Sequence, residues 1–201
     1  IIDFFVAIIV SIYLLLQRKE MLDFIKKFGK VTLKKDTYQS IGKYFNRTNN
    51  IFFKFLAGQL LDGIIIAIIT SIAMAFLGVK YAILLGVMIG IFNLIPYFGA
   101  IIAVIIATLI TLLTGGIWQA VLMIIVVTIL QQLDANIINP KILGNSLKIS
   151  PLLVIFAVSI GGAYFGFWGM FLSVPIIAVL KLLVTDYIEY KDKLKENISI
   201  N

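Results

Sequence analysis

The chain has 201 residues, of which 61% are apolar and 13% are charged, and its formal net charge is +7. Soluble domains are typically about 45–50% apolar and about 25% charged, so this composition excludes an ordinary soluble domain and indicates a bilayer as the solvent. The sequence contains no cysteine and no histidine, which excludes disulfides, thiol nucleophiles, His-dependent catalytic pairs and the commonest zinc ligand.

A basic region follows the first apolar segment, residues 1–16, which we predict to be a transmembrane helix. Ten of the 17 Lys and Arg residues lie between Arg18 and Lys54, where three acidic residues oppose them. Apolar segments flank residues 17–54 on both sides, so a membrane surface is favoured over nucleic acid as the partner. We predict that this region is cytoplasmic and that residues 18–54 attract anionic lipids.

Amphipathic helices are predicted within the basic region. Met21, Leu22, Ile25 and Phe28 recur at helical spacing with basic residues between them, which is typical of a helix that lies on the cytoplasmic surface of a membrane. A second, short helix is predicted over Tyr38–Phe45. The alternative is a linker in which this spacing is accidental.

Residues 55–185 are predicted to form a transmembrane transport core. Its apolar segments are Phe55–Leu77, Tyr81–Ile95, Phe98–Leu113, Ile117–Leu133, Pro151–Ile160 and Phe167–Val184. Several segments are short for a span of about 20 residues, so Tyr81–Ile95 and Pro151–Ile160 either cross the membrane or re-enter it. Residues 186–201 are predicted to be a cytoplasmic tail, because all basic clusters, including Lys141 and Lys148, then lie on one face.

Two hairpins interrupted by Gly and Pro are predicted in this core, at residues 95–99 and 161–169. Broken helices at membrane depth are tolerated only where protein or a water-filled cavity covers the freed backbone. Short, interrupted segments in matching places are the best sequence indication of a transporter site. The predicted fold class is therefore an all-α integral membrane protein with polytopic helices and two such hairpins, which allow an inverted repeat.

Asp134 is the preferred residue for ion coupling. It ends an apolar segment and lies near the amides of Gln131, Asn136 and Asn139. Placing an acidic side chain inside a membrane costs free energy, so its presence there indicates a functional role. A carboxylate can bind a proton or a sodium ion. The alternative is an interfacial Asp that is solvated at a helix end or paired with Lys141.

Asp62 is the second acidic candidate. Gln59, Asp62, Gly63 and Thr70 lie on roughly one helical face, which predicts a polar stripe that faces protein or a cavity rather than lipid. A purely structural hydrogen bond between helices is the alternative.

The two hairpins supply further candidates for substrate or ion binding, which are Asn93, Pro96, Tyr97, Gly99, Gly162 and Gly166. Pro96 frees a backbone carbonyl that can coordinate a cation or a hydroxyl-rich ligand, although a tight turn without a ligand is the alternative. Gly162 and Gly166 are equally explained by close helix contact. The aromatic residues beside them are better interpreted as an interfacial belt than as a pocket.

No catalytic site or cofactor is predicted, so we do not expect an enzyme. Asp62 and Asp134 are the only acids within residues 55–185, and no GxGD motif of an intramembrane aspartyl protease surrounds them. The sequence has no Walker loop that would support ATP-driven transport. No metal site is predicted beyond a sodium ion at Asp134. A membrane scaffold that transports nothing remains an alternative.

Three blocks of the sequence, Leu94–Ala103, Asp134–Val154 and Gly161–Leu180, resemble the autoinducer-2 exporter family of bacterial membrane proteins. The resemblance implies a multi-pass transporter of the bacterial plasma (inner) membrane that forms homo-oligomers, with a pentamer as one such assembly. Some members look like exporters of the quorum signal autoinducer-2 and others like sodium (lithium)/proton antiporters. We therefore expect a secondary transporter that exports a small polar solute such as autoinducer-2, with antiport as the alternative.

Overall fold

A computed structural model describes residues 2–143 and 149–199, and the regular structure in these residues is entirely helical. In chain order the helices are α1 (Ile2–Leu16), α2 (Arg18–Thr32), α3 (Lys35–Phe76), α4 (Ala82–Phe92), α5 (Phe98–Leu133), a π-helix (Asp134–Ile138), α6 (Asn139–Leu143) and α7 (Pro151–Ser199). The predicted all-α fold is confirmed, and Lys148 lies outside the described residues. The chain forms two compact units, residues 1–48 and 49–201.

Among the described residues, three helices are long and apolar enough to cross a membrane, and they cover Lys35–Phe76, Phe98–Ile142 and Pro151–Asp192. Phe5–Leu16 and Ala82–Phe92 are shorter apolar helices. A helix satisfies its own backbone hydrogen bonds, which is why apolar runs adopt it in a bilayer, where water is absent. These helices are those of a multi-pass membrane protein.

In the first unit, α1 and α2 coincide with the predicted first segment and the first amphipathic helix. The apolar side chains of Met21, Ile25 and Phe28 on α2 are exposed. The predicted short helix over Tyr38–Phe45 is wrong, because these residues belong to α3, which begins at Lys35. Residues 46–54 contain neither Gly nor Pro, so no residue there forces the helix to end.

Glycines interrupt the two longest helices of the second unit. Gly116 within α5 has φ 83° and ψ 175°, and Gly166 within α7 has φ 60° and ψ −142°. These values lie in regions that favour glycine. An uninterrupted α5 would be about 54 Å long, well beyond a hydrocarbon core of about 30 Å. The break at Gly116 therefore divides α5 into two segments of membrane-spanning length.

Both predicted hairpins are confirmed. Residues 93–97 separate α4 from α5, and a Cβ atom on Gly99 would overlap the carbonyl oxygen of Phe92. In the second hairpin, Cβ atoms on Gly161 and Gly169 would each overlap the other residue's carbonyl oxygen. Residues eight positions apart in one straight helix are about 12 Å apart along its axis, so the chain folds back on itself near Gly166. The inverted repeat stays a prediction.

Two apolar clusters hold the second unit together. The larger joins α3, α4 and both segments of α5, through Ile66, Met74, Leu85, Ile89, Ala103, Ala107, Met123 and Val127. The smaller joins α3, the first hairpin and α7, through Phe55, Ile95, Val158, Phe171 and Val174. Along α3, Gln59 and Asp62 lie between Phe55 of the smaller cluster and Ile66 of the larger. The polar face of α3 is therefore enclosed by protein at this level.

Close packing of glycines brings α4 to this part of α3. A Cβ atom on Gly63 would lie 2.8 Å from the carbonyl oxygen of Gly90, and one on Gly90 would overlap the carbonyl oxygen of Gly63. Small residues at helix interfaces allow such backbone contact in membranes. Since Gly63 follows Asp62 and Gly90 precedes Asn93 by three residues, this contact brings Asp62 and Asn93 to the same level of the helix pair.

Candidate functional site

A buried polar cluster connects α3, the end of α4 and the π-helix. The side-chain Nδ2 of Asn93 lies 3.0 Å from Oδ2 of Asp62 and 3.1 Å from Oδ2 of Asp134. A primary amide nitrogen carries two hydrogens, and Asn93 can donate one to each carboxylate. One amide thus holds together two acidic side chains from different helices, which we call the carboxylate pair.

Two further amides fix this arrangement. Nδ2 of Asn139 lies 3.1 Å from the same Oδ2 of Asp62. Nε2 of Gln59 donates to the backbone carbonyl of Asn93 at 2.8 Å. That bond satisfies a carbonyl at the C-terminal end of α4, where the helix itself provides no partner. Asn93 is therefore held through its backbone as well as its side chain.

The carboxylate pair is almost completely shielded from solvent. Asp62 is 0% exposed and Asp134 is 5% exposed. The donors described for them are neutral amides, and the Oδ1 atom of each is buried without a hydrogen-bond partner. Burying an ionised group without a counter-charge costs several kcal/mol. The pair is therefore suited to receive a cation, a proton or a hydroxyl donor.

The π-helix explains why Asp134 and Asn139 both reach this cluster. The backbone N–H of Asn139 donates to the carbonyl of Asp134, five residues earlier. Residues five apart in an α-helix point about 140° away from each other, whereas the wider π turn brings them closer to one face. Single π turns inside α-helices are frequent at functional sites.

A cavity of about 740 Å³ lies beside the carboxylate pair, within the range of about 300–1,000 Å³ that is typical of ligand pockets. Asp134 lines it, and Asp62 reaches it through its hydrogen bonds to Asn93 and Asn139. Amide side chains form most of the polar wall, namely Gln59, Asn93, Gln131, Gln132, Asn136 and Asn139. Among the described residues, no Lys or Arg lines the cavity.

The first hairpin forms another part of the cavity wall. Pro96 and Tyr97 line the cavity, and Tyr97 has φ 64°. A positive φ is uncommon for a bulky residue, and such backbone conformations cluster at functional sites. Gly99 is buried beside this turn and does not line the cavity.

The structure brings together most of the residues predicted from the sequence. Those that line the cavity or bind the carboxylate pair are Asp62, Asp134, Gln59, Asn93, Pro96, Tyr97, Gln131, Asn136 and Asn139. The predicted stripe of α3 is buried at Gln59, Asp62, Gly63 and Thr70, as expected for a face turned away from lipid. The alternative of an Asp134 solvated at a helix end does not fit its burial.

The second hairpin contributes differently from the prediction. Gly162 and Gly166 do not line the cavity. A Cβ atom on Gly162 would lie 2.7 Å from the side chain of Met170, and Gly166 provides the positive φ of the turn. Tyr164 and Trp168 are largely exposed, which agrees with an interfacial belt better than with a pocket. These glycines are explained by packing and backbone conformation.

Sequence reasoning did not identify the apolar part of the cavity wall. Phe55, Ile149, Val154 and Val174 line it alongside the polar residues. In a chain that is 61% apolar, nothing distinguishes these four from the many apolar side chains that face lipid. Only the three-dimensional contacts separate the two groups.

Residues 1–189 match the model of a family described as AI-2E family transporter. The match covers both hairpins, the carboxylate pair and every residue that lines the cavity.

Individual relatives agree with this match. YrrI of Bacillus subtilis, named as a candidate transport protein, is 36% identical over 137 residues, which are 68% of this chain and 38% of YrrI. YueF of the same organism, also named as a candidate transport protein, is 30% identical over 80% of this chain and 45% of YueF. PerM of Escherichia coli, named as a candidate permease, is 27% identical over 71% of this chain and 41% of PerM. The chain thus spans less than half the length of these relatives.

Proposed function

Because this chain belongs to the AI-2E transporter family, we propose that it works as a secondary transporter that exports a small, neutral, polar solute such as autoinducer-2. The observation that carries this proposal is the amide-lined cavity beside a buried carboxylate. The solute binds in this cavity, and an ion gradient supplies the energy.

The chemistry of the wall supports a solute rich in hydroxyl groups. Primary amides both donate and accept hydrogen bonds, and a carboxylate accepts them. Gln131 lines the cavity and keeps its Nε2 buried without a partner, so rotation of this side chain would offer the donor to a solute oxygen. A buried donor without a partner costs about 1–3 kcal/mol, which favours binding of a solute that supplies the missing acceptor.

The charge of the wall argues against an anionic solute. Asp134 is acidic, and among the described residues the cavity wall includes no Lys or Arg. Phosphate and carboxylate groups are commonly bound by Arg or Lys. A phosphorylated form of the same solute is therefore a poor ligand for this site.

Sodium (lithium)/proton antiport is the second candidate function. The observation that favours it is the carboxylate pair with its two unpartnered Oδ1 atoms. A transported cation would then replace the solute as the cargo. A scaffold without transport is the least favoured function, because it requires neither a buried carboxylate pair nor the cavity.

The surroundings of the chain are part of the same proposal. We place it in the bacterial plasma membrane with residues 17–54 and the C-terminus in the cytoplasm, since this puts the basic clusters inside. The exposed apolar and basic side chains of α2 would lie on anionic lipid headgroups. The many exposed apolar side chains of the helices would face lipid or other copies in a homo-oligomer.

Efflux from liposomes tests the function directly. The whole protein is reconstituted in liposomes that are loaded with autoinducer-2 or with its phosphorylated form. We expect protein-dependent efflux of the neutral compound that exceeds efflux of the phosphorylated compound by about tenfold or more, which corresponds to about 1.4 kcal/mol. Equal efflux from liposomes with and without protein would contradict export.

A pair of variants connects efflux to the cavity. Ala100→Trp places a large ring at a residue that lines the cavity and should abolish efflux. Ala163→Trp places the same ring at an exposed residue that does not line it and should leave efflux unchanged. Antiport is tested on the same liposomes with an internal pH dye: a pH change on addition of Na⁺, without autoinducer-2, would favour the second candidate.

A further inference from the structure

We propose that Asp62 and Asp134 bind one monovalent cation, a proton or Na⁺, between them, and that Asn93 is the positioning residue that makes two distant carboxylates into a single site. The inference deepens the proposed transport function and rests on it for its biological role. The binding claim itself is independent of the cargo.

The side chain of Asn93 bridges the two carboxylates. Its Nδ2 lies 3.0 Å and 3.1 Å from one oxygen of each carboxylate. Because both bonds come from the same planar amide, rotation of the side chain would break both at once. The two carboxyl groups are therefore held beside the same amide nitrogen.

Each carboxylate keeps one oxygen that makes no hydrogen bond. The bonded atoms are the Oδ2 atoms, while the Oδ1 atom of each residue is buried and unpartnered. Both residues are at least nine-tenths buried. Unpartnered carboxylate oxygens are the ligands that hard cations and protons take.

The amide donors around the pair favour the binding of one positive charge rather than two. Amide hydrogens of Asn93 and Asn139 already stabilise negative charge on the Oδ2 side. Neutralising both carboxylates would weaken these three charge-assisted bonds, whereas a single positive charge shared by the pair leaves one net negative charge for the amides to stabilise. The pair supplies two negative charges, and within the described residues no third acidic, His or Cys side chain joins it in a group of three.

The other ionisable groups nearby are few. On the elements packed around the pair, Tyr97 is the one further titratable side chain that lines the cavity among the described residues. Lys141 of α6 is exposed and is not part of the wall. A response to pH at this site therefore belongs to the carboxylate pair.

Occupancy of the pair is connected to the first hairpin. Asn93 directly precedes residues 94–97, and its carbonyl is held by Gln59. A cation that draws the two carboxylates together changes the spacing that the Asn93 amide must bridge. Cation binding would then shift the first hairpin. Because Pro96 and Tyr97 of this hairpin line the cavity, the shift would change how the solute binds.

Thermal unfolding of the whole protein in lipid nanodiscs tests the inference without any transport. The Tm is measured in NaCl and in choline chloride at equal ionic strength, in a mildly acidic and a mildly alkaline buffer. We expect Na⁺ to raise the Tm by a few degrees in the alkaline buffer and by less in the acidic one, because protons then compete for the pair. A Tm that depends on pH but not on Na⁺ would identify the proton as the cation.

Variants show whether the response belongs to one shared site. Asp62→Asn and Asp134→Asn should each abolish the response, and the double variant should lose no more than either single variant. Asp192→Asn, at an exposed position, is the matched control and should respond like the wild type. Responses that survive in either single variant, or a wild-type Tm that depends on neither Na⁺ nor pH, would overturn the inference.

The two failures can be told apart. If the Tm responds as expected while liposomes show no efflux or antiport, the cation site stands and the transport function is wrong. If efflux is measured but both single variants keep the wild-type Tm response, the function stands and the shared site is wrong.

Discussion

Asn139 and Asp62 are joined by a hydrogen bond of 3.1 Å across 77 residues of sequence. The bond depends on the π-helix between Asp134 and Ile138, which brings Asp134 and Asn139 toward one face. The hydrogen bond between Asn139 and Asp62 therefore depends on the one extra residue that the π turn contains compared with an α-helical turn.

Removing that residue gives the first prediction. Deletion of Ile137 should convert the π turn into α-helix and rotate Asn139 by about 100° away from Asp62. Loss of a hydrogen bond to a charged group is worth about 1.5–3 kcal/mol, so we expect transport to fall by tenfold or more. Ile137→Ala keeps the π turn and should transport at close to the wild-type rate. Normal efflux in the deletion variant would show that the π-helix has no functional role.

The second prediction concerns Asn93. Asn93→Ala leaves two buried carboxylates without their shared donor, so the protein should lose about 2–5 kcal/mol of stability. The matched control is Asn136→Ala, because Asn136 bonds only within its own helical turn at an exposed position; its loss should be within about 0.5 kcal/mol. Thermal unfolding in nanodiscs measures both variants. Similar losses in the two would refute the structural role of the Asn93 bridge.

The third prediction concerns the contact between α3 and α4. Gly90→Ala should destabilise the protein by about 1–3 kcal/mol, because its Cβ atom would overlap the carbonyl oxygen of Gly63. It should also weaken the cation response, since the bond between Asp62 and Asn93 lies beside this contact. Gly42→Ala is the control: nothing lies within 4 Å of its Cβ position, and the higher helix propensity of Ala should stabilise α3 by up to about 1 kcal/mol. Unfolding curves that shift equally in both variants would argue against the close packing.

Apart from the short helix over Tyr38–Phe45, the helices and the polar face of α3 could be predicted from the sequence. The 3.6-residue period is a local property, and it correctly grouped Gln59, Asp62, Gly63 and Thr70 on a buried face. Gly and Pro act locally through φ, so the breaks at Gly116 and near Pro96 were also predictable.

The assembly of the site was beyond local reasoning. The bridge from Asn93 to both carboxylates depends on helices packed across 31 and 41 residues of sequence. The π turn contradicts the α-helical period on which the prediction relied, so Asn139 could not be assigned to Asp62. Gly162 and Gly166 were predicted to bind substrate but do not line the cavity. In sequence, a glycine that permits close packing cannot be distinguished from one that exposes backbone to a ligand.

Solute efflux measured across a pH series, with and without a Na⁺ gradient, tests the coupling role of Asp134 most directly. Asp134→Asn keeps the size of the side chain and one oxygen that can accept the bond from Asn93, but removes its charge. After expression and oligomer size have been matched, efflux by this variant should stop or lose its dependence on pH and Na⁺, while Asp192→Asn should follow the wild type. Wild-type rates and an unchanged pH and Na⁺ profile in Asp134→Asn would contradict coupling through the carboxylate pair.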